Sequence, residues 1–166
     1  DPDGFVFNMS VGYDLEGIKG EKVNTYIDGM MDADKTAIFG ECKEVLRELF
    51  PAESDYIDGI SPCVSRSVTV STLHGCPPQE IERIAGYLLK EKHLHTFVKC
   101  NPTILGYKTA RSILDSMGYD YIVFDEHHFN EDLQWVDAVP MFERLQALAD
   151  SKGLEFGLKL SNTFPV

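Results

Sequence analysis

The sequence predicts an α/β fold, a partial (β/α)8 TIM-type barrel of about five parallel strands with intervening helices. Three observations carry this. Short runs rich in β-branched residues alternate with amphipathic stretches of helical period. Four of those runs end abruptly in polar or ionisable residues, where parallel α/β folds keep their chemistry. Finally, 166 residues make about one domain, whereas a closed barrel takes about 250. Residues 1–166 are therefore expected to be a single domain, an excerpt of a longer barrel.

The elements follow in order. Phe5-Val6-Phe7-Asn8-Met9-Ser10 reads as the first strand, and Gly12 and Gly17 mark a loop. Val23, Tyr26, Ile27 and Met30 place a helix over about 21–31. Ala37, Ile38, Glu41, Val45, Leu46 and Leu49 place another over 36–50, stopping before Pro51. Residues 51–66 read as irregular. A strand at 67–73 leads to a helix at 78–91, opened by Pro77 and Pro78 and striped by Ile81, Ile84, Ala85, Leu88 and Leu89. A strand at 95–100 precedes a helix from about Gly106 to Met117. A strand at 119–124 precedes a helix over 137–150, with Val139, Phe142, Leu145, Leu148 and Ala149 apolar. The last strand is 154–160. Gly118 and Gly153 fall where helix C-caps belong. Short strand–helix–strand connections imply parallel strands and right-handed crossovers.

Composition narrows the function classes. A net charge of −12 leaves no surface that would neutralise phosphates, so nucleic acid is not an expected partner. No apolar run approaches the ~20 residues of a membrane span, and no signal peptide is visible, so the expected setting is cytoplasmic, away from the membrane. Cys42, Cys63, Cys76 and Cys100 contain no C-x-x-C pair. Neither a zinc ribbon nor an iron–sulfur motif is spelled here, and reduced thiols are expected.

The strand ends supply the candidate site. Ser-Thr-Leu-His-Gly-Cys-Pro-Pro (71–78) puts His74 and Cys76 in a βα loop. They could form a thiolate–imidazole pair, or Cys76 could be a packed small hydrophobe. Lys99, Cys100 and Asn101 follow the strand at 95–100, and Lys159, Leu160, Ser161 and Asn162 close the last one. An ammonium at Lys99 or Lys159 could stabilise charge on a reduced ring, form a Schiff base, or simply cap the barrel mouth. Asn8, Ser10, Thr72, Asn101, Ser161 and Asn162 are the hydrogen-bonding candidates for holding a cofactor. His127 and His128, in Asp125-Glu126-His127-His128, are candidate proton carriers. The same run could join His74 in a metal site, although adjacent histidines seldom share one ion, and no metal is assigned. Phe129 and Trp135 read as a lid or an interface anchor.

Long stretches resemble one family, the proteins classed as selenate reductase iron–sulfur subunits. They are residues 1–18, Ser-Thr-Leu-His-Gly-Cys-Pro-Pro with its continuation to Ala85, Phe-Val-Lys-Cys-Asn-Pro-Thr-Ile-Leu-Gly-Tyr (97–107), Asp-Glu-His-His-Phe (125–129), Glu-Asp-Leu-Gln-Trp (131–135), Asp-Ala-Val-Pro-Met-Phe (137–142) and Lys-Leu-Ser-Asn-Thr-Phe-Pro-Val (159–166). The resemblance implies a large NADPH- and iron–sulfur-linked oxidoreductase acting with other subunits on a small molecule. Its iron–sulfur clusters, FAD and NADPH would belong to polypeptide outside this chain. More distantly, the barrel is similar to dihydroorotate and dihydropyrimidine dehydrogenases, which implies FMN at the strand ends. Their Ser-Cys-Pro and Lys-Leu-x-Pro-Asn segments have counterparts in Gly75-Cys76-Pro77 and Lys99-Cys100-Asn101-Pro102. The asparagine that usually precedes Ser-Cys-Pro is not in register here. The alternatives carried are a cofactor-free scaffold or docking module, and a Schiff-base lyase.

Overall fold

The computed structural model describes residues 6–71 and 75–160. Within them four parallel strands form one sheet in chain order: β1 (Asn8–Val11), β2 (Ser67–Ser71), β3 (His95–Cys100) and β4 (Phe156–Leu160). The register aligns Asn8 with Ser67 and His95. Four residues on, Ser71, Lys99 and Lys159 stand side by side.

Because side chains alternate along a strand, this register sorts the sheet into two chemically distinct faces. Met9, Val11, Val68, Val70, Val98 and Cys100 are buried on one face. There they meet the helices α1 (Leu15–Lys19), α2 (Glu21–Met31), α5 (Pro78–Lys90) and α8 (Trp135–Lys152). The other face carries Asn8, Ser10, Ser67, Thr69, Ser71, His95, Phe97, Lys99, Gly157 and Lys159. It is largely polar, as the inner wall of a barrel mouth must be if it is to receive a polar ligand.

Helix α5 is the keystone of the apolar side. Its predicted stripe is buried in full: Ile84 and Leu88 face β1, β2 and the first helices, while Ile81, Ala85 and Leu89 face β3 and α8. Arg144 of α8 adds a paired contact to Glu82 of α5 at 2.7 Å through both oxygens. On α8 the buried stripe is Ala138, Met141, Leu145 and Ala149, which keeps Leu145 and Ala149 of the apolar set read from the sequence and takes Ala138 and Met141 in place of Val139 and Phe142. Gly153 caps α8 in the left-handed conformation at φ 67°, as expected.

Two excursions leave this frame. Between β1 and β2 the chain adds α3 (Ala37–Leu49) and α4 (Ser54–Asp58), so residues 51–66 are not wholly irregular and Gly17 lies within α1. Between β3 and β4 it adds α6 (Tyr107–Ser116) and α7 (Glu126–Glu131) ahead of α8.

The strand expected at 119–124 does not form, so the described sheet has four strands rather than about five. The reason lies in competition for hydrogen bonds. β4 already occupies the free edge of β3. The carbonyls of Tyr119 and Ile122 instead accept from the Arg111 guanidinium at 2.8 and 2.5 Å. Phe124 is drawn under Tyr107 and Phe129 in a side cluster with Ala110. Tyr121 and Val123 are left 73% and 83% exposed.

Candidate active site

The carboxyl ends of β2, β3 and β4 bring three of the sequence-predicted features to one level. Lys99 stands between Ser71 and Lys159, one strand away on each side and on the same face. Neighbouring strands lie about 4.8 Å apart, so the two lysine stems leave the sheet at that spacing. Lys99 is half-buried and Lys159 exposed. A like-charged pair directly opposite on adjacent strands costs stability unless an anion lies over it. Phe97, one step down the same face, lays its ring across Gly157; a Cβ there would stand 2.6 Å from the ring.

The rim above β3 is organised by a residue the sequence reading passed over. Asp132 is buried (7% exposed) and gathers two loops. The Gly75 N–H donates to its Oδ1 at 2.9 Å, while Thr103 Oγ1 and Asn101 Nδ2 donate to its Oδ2 at 2.7 and 3.2 Å. It thus ties the loop after β2 to the loop after β3. A small polar void of about 10 Å³, bordered by Lys99, Asn101, Thr103, Asp132 and Cys76, lies between them. That is close to the room one water needs. Only the presence of an acid in the 131–135 stretch could have hinted at this role. Its partners are too far off in sequence to be read.

Cys76 is half-buried beside this void and packs against the α5–α8 core. Burial pushes its thiol pKa up, and the nearby Glu80 carboxylate adds to the effect. The geometry thus favours the thiol over an activated thiolate. A second cleft of about 260 Å³ opens at the ends of β1 and β2, lined among others by Gly12, Tyr13, Ser71, Gly75 and Cys76. Glu80 holds its floor by accepting from the Leu15 N–H at 2.9 Å.

The remaining candidates are dispersed. Asn8 is at the opposite end of the sheet, about 13 Å below the Lys99 level at ~3.3 Å per residue, and donates to Thr69 Oγ1 at 2.7 Å. Ser10 is exposed at mid-height on the polar face, in register with Thr69. Asn101 is engaged with Asp132.

His127 and His128 are not in a strand-end loop. Asp125 caps α7 by accepting from the His127 N–H at 2.9 Å, and both imidazoles are exposed on that helix. Neither borders the void beside Lys99. Phe129 is a buried core residue rather than a lid. Thr72, His74, Ser161 and Asn162 lie outside the described residues. Among the described residues no group of three or more His, Cys, Asp or Glu side chains is placed to hold a metal ion, and no helix is long and apolar enough to cross a membrane.

Comparison with known proteins adds a family. The family described as "Oxidoreductase YgfK, N-terminal TIM-barrel domain" matches residues 1–166. Two Escherichia coli proteins named "Putative oxidoreductase YgfK", from strain K12 and from O157:H7, are each 45% identical over 174 residues. The match takes in 96% of this chain but 17% of each relative's length. No solved structure matches the chain significantly.

Proposed function

The chain belongs to the family of N-terminal TIM-barrel domains of oxidoreductase YgfK, and from that premise we propose that it is the barrel part of an oxidoreductase. Its working surface is the polar face of the sheet at the carboxyl ends of β2, β3 and β4. The observation that carries the reading is the in-register placement of Lys99 and Lys159 beside Ser71. Two ammonium groups held one strand apart favour an electron-rich partner over them.

The donor set suits a flavin ring. Lys99, Lys159 and Ser71 can donate to the oxygen- and nitrogen-rich edge of the ring, and Phe97 offers apolar surface beneath it. FMN, when bound, would supply the electron transfer. The chain's own residues would bind, orient and counter charge: the lysines by fixed positive charge, Asp132 by holding the two loops in place. The substrate class we propose is a small nitrogen heterocycle or oxyanion. NADPH and iron–sulfur chemistry of the selenate reductase type, and contacts with other redox subunits, would belong to the rest of the longer protein.

The test is to purify the full-length protein, denature it and identify the released flavin, which separates FMN on the barrel from the FAD and iron–sulfur clusters expected elsewhere in the polypeptide. Bound FMN is expected, with Lys99→Met and Lys159→Met each weakening its retention by about tenfold or more, the scale of a lost charge-assisted hydrogen bond. A protein that releases no FMN and takes up none when it is added would overturn the flavin reading. Borohydride trapping of a carbonyl compound on Lys99 would replace it with Schiff-base chemistry.

A further inference from the structure

We propose that α3 is a docking face for an amphipathic helix of a separate polypeptide, one with an apolar seam and Lys or Arg along one flank. No residue of α3 is buried, although the helix carries a full apolar stripe. Ile38, Cys42, Val45 and Leu49 follow the four-three-four spacing of a coiled-coil seam. Ile38, Val45 and Leu49 are 62%, 53% and 65% exposed, and Cys42 is exposed among them. The seam runs about 16 Å at 1.5 Å per residue. Past the end of the helix Phe50 and Tyr56 are likewise 54% and 75% exposed.

Charge says what covers it. The basic side chains of α3 are spent inside the excursion. Lys43 donates to the carbonyls of Asp58 and Ile60 at 3.2 and 3.1 Å, and Arg47 pairs with Asp58 at 2.6 Å. Glu41, Glu44 and Glu48 fall together on the opposite flank of the seam at 100° per residue. All three are exposed, and among the described residues none makes an ion pair. The face offered is apolar along its centre and purely acidic along one side. A helix with Leu or Ile in the seam and Lys or Arg beside it satisfies both.

A second copy does not. Antiparallel pairing sets the acidic flank against itself, and parallel pairing sets it against Phe39 and Leu46, which are half-buried already. The net charge of −12 adds to the repulsion.

The experiment uses the full-length protein and a pair of three-heptad helical peptides. Both carry Leu at the seam positions; one has Lys flanks and its twin Glu flanks. The Lys peptide is expected to bind at least about tenfold tighter than its twin at low ionic strength, with the margin shrinking as salt rises. Binding should be lost in the Val45→Asp/Leu49→Asp variant, whose circular dichroism and melting should stay at wild-type values because both sites are exposed. Equal binding of the two peptides, no binding of either, or binding that survives in the double variant would each overturn the proposal. So would a wild-type dimer that the double variant dissolves, since that seats a second copy on α3. Resistance of Cys42 to alkylation in the full-length protein alone would likewise count against it, by showing the face already covered within the polypeptide.

Discussion

Asp132 illustrates how much one side chain can organise when its partners come from distant parts of the chain. Its carboxylate receives the Gly75 N–H, the Asn101 amide and the Thr103 hydroxyl. Removing it strands three donors at a largely buried site. Asp132→Ala is therefore expected to cost about 2–4 kcal/mol of stability, read as a shift in urea midpoint, because unsatisfied buried donors bear their full desolvation cost. Asp132→Asn should be milder, since the amide oxygen still accepts. The cysteines give a second expectation at this scale. Burial pushes the Cys100 thiol up to about 11, and the Cys76 thiol is raised as well. Cys42 is exposed. Alkylation near neutral pH followed by mass spectrometry should label Cys42 first and Cys76 slowly. Cys100 should react only after unfolding; prompt native labelling of it would contradict its placement in the core.

Among the elements, the contacts between β3 and β4 and between α5 and α8 are the most exposed to a single change. Gly157→Ala drives a methyl into the Phe97 ring and should destabilise by about 1–3 kcal/mol, the cost of overpacking. Adding Phe97→Leu should recover part of it, measured by thermal melts of both variants. The α5–α8 bridge responds to acid. Its hydrogen bond to Arg144 holds the Glu82 carboxyl below the usual carboxylate range. A depressed value in the folded state means stability that is present above the unfolded value and lost as pH falls through the folded one. Glu82→Gln should therefore be less stable than the parent at neutral pH, by a small margin for so exposed a pair. The two should converge in acid, and a gap that persists there would assign the difference to packing.

Legibility in the sequence also varied by element. The span from β2 through α5 to β3 was readable almost to the residue, because β-branched runs, a proline-opened helix and a strong apolar stripe all pointed the same way. Helix α2 was equally clear. Residues 119–124 misled because an aromatic and β-branched run such as Tyr121-Ile122-Val123-Phe124 reports what could lie in a sheet, while pairing depends on which edge is free. Helix α7 was announced by Asp125 and Glu126 as cap and first turn, yet the histidines drew the reading toward catalysis. The juxtaposition of Lys99 and Lys159 was only half visible. Both were recognised as strand-end lysines, but that they are neighbours depends on β4 pairing directly with β3. Asp132 was not visible at all.

For the whole molecule, the division into an apolar helix-covered face and a polar face accounts for both stability and chemistry. The core is continuous through α5. Leu145→Ala, at a fully buried position bridging α8 to α5, should cost about 2–5 kcal/mol by equilibrium unfolding, whereas replacing Lys99 or Lys159 in the ligand-free protein should leave the melting temperature unchanged or raise it slightly, because it relieves the like-charge pairing. Opposite results would mean that the lysines are structural rather than part of a binding surface.

The parallel register has a consequence for how the chain reaches this state. Ser67 pairs with His95, but Asn8 pairs with Ser67 and Thr96 with Phe156, separations roughly twice as long. Every pairing must close a large loop before it returns any free energy, and the shortest closure is the one around α5. The β2–α5–β3 unit should therefore assemble first, with β1 and β4 added to its two edges afterwards. Ala85→Gly in α5 should slow refolding, while Leu145→Ala should chiefly hasten unfolding. The helix that joins the two halves of the core would then also be the one that sets the pace.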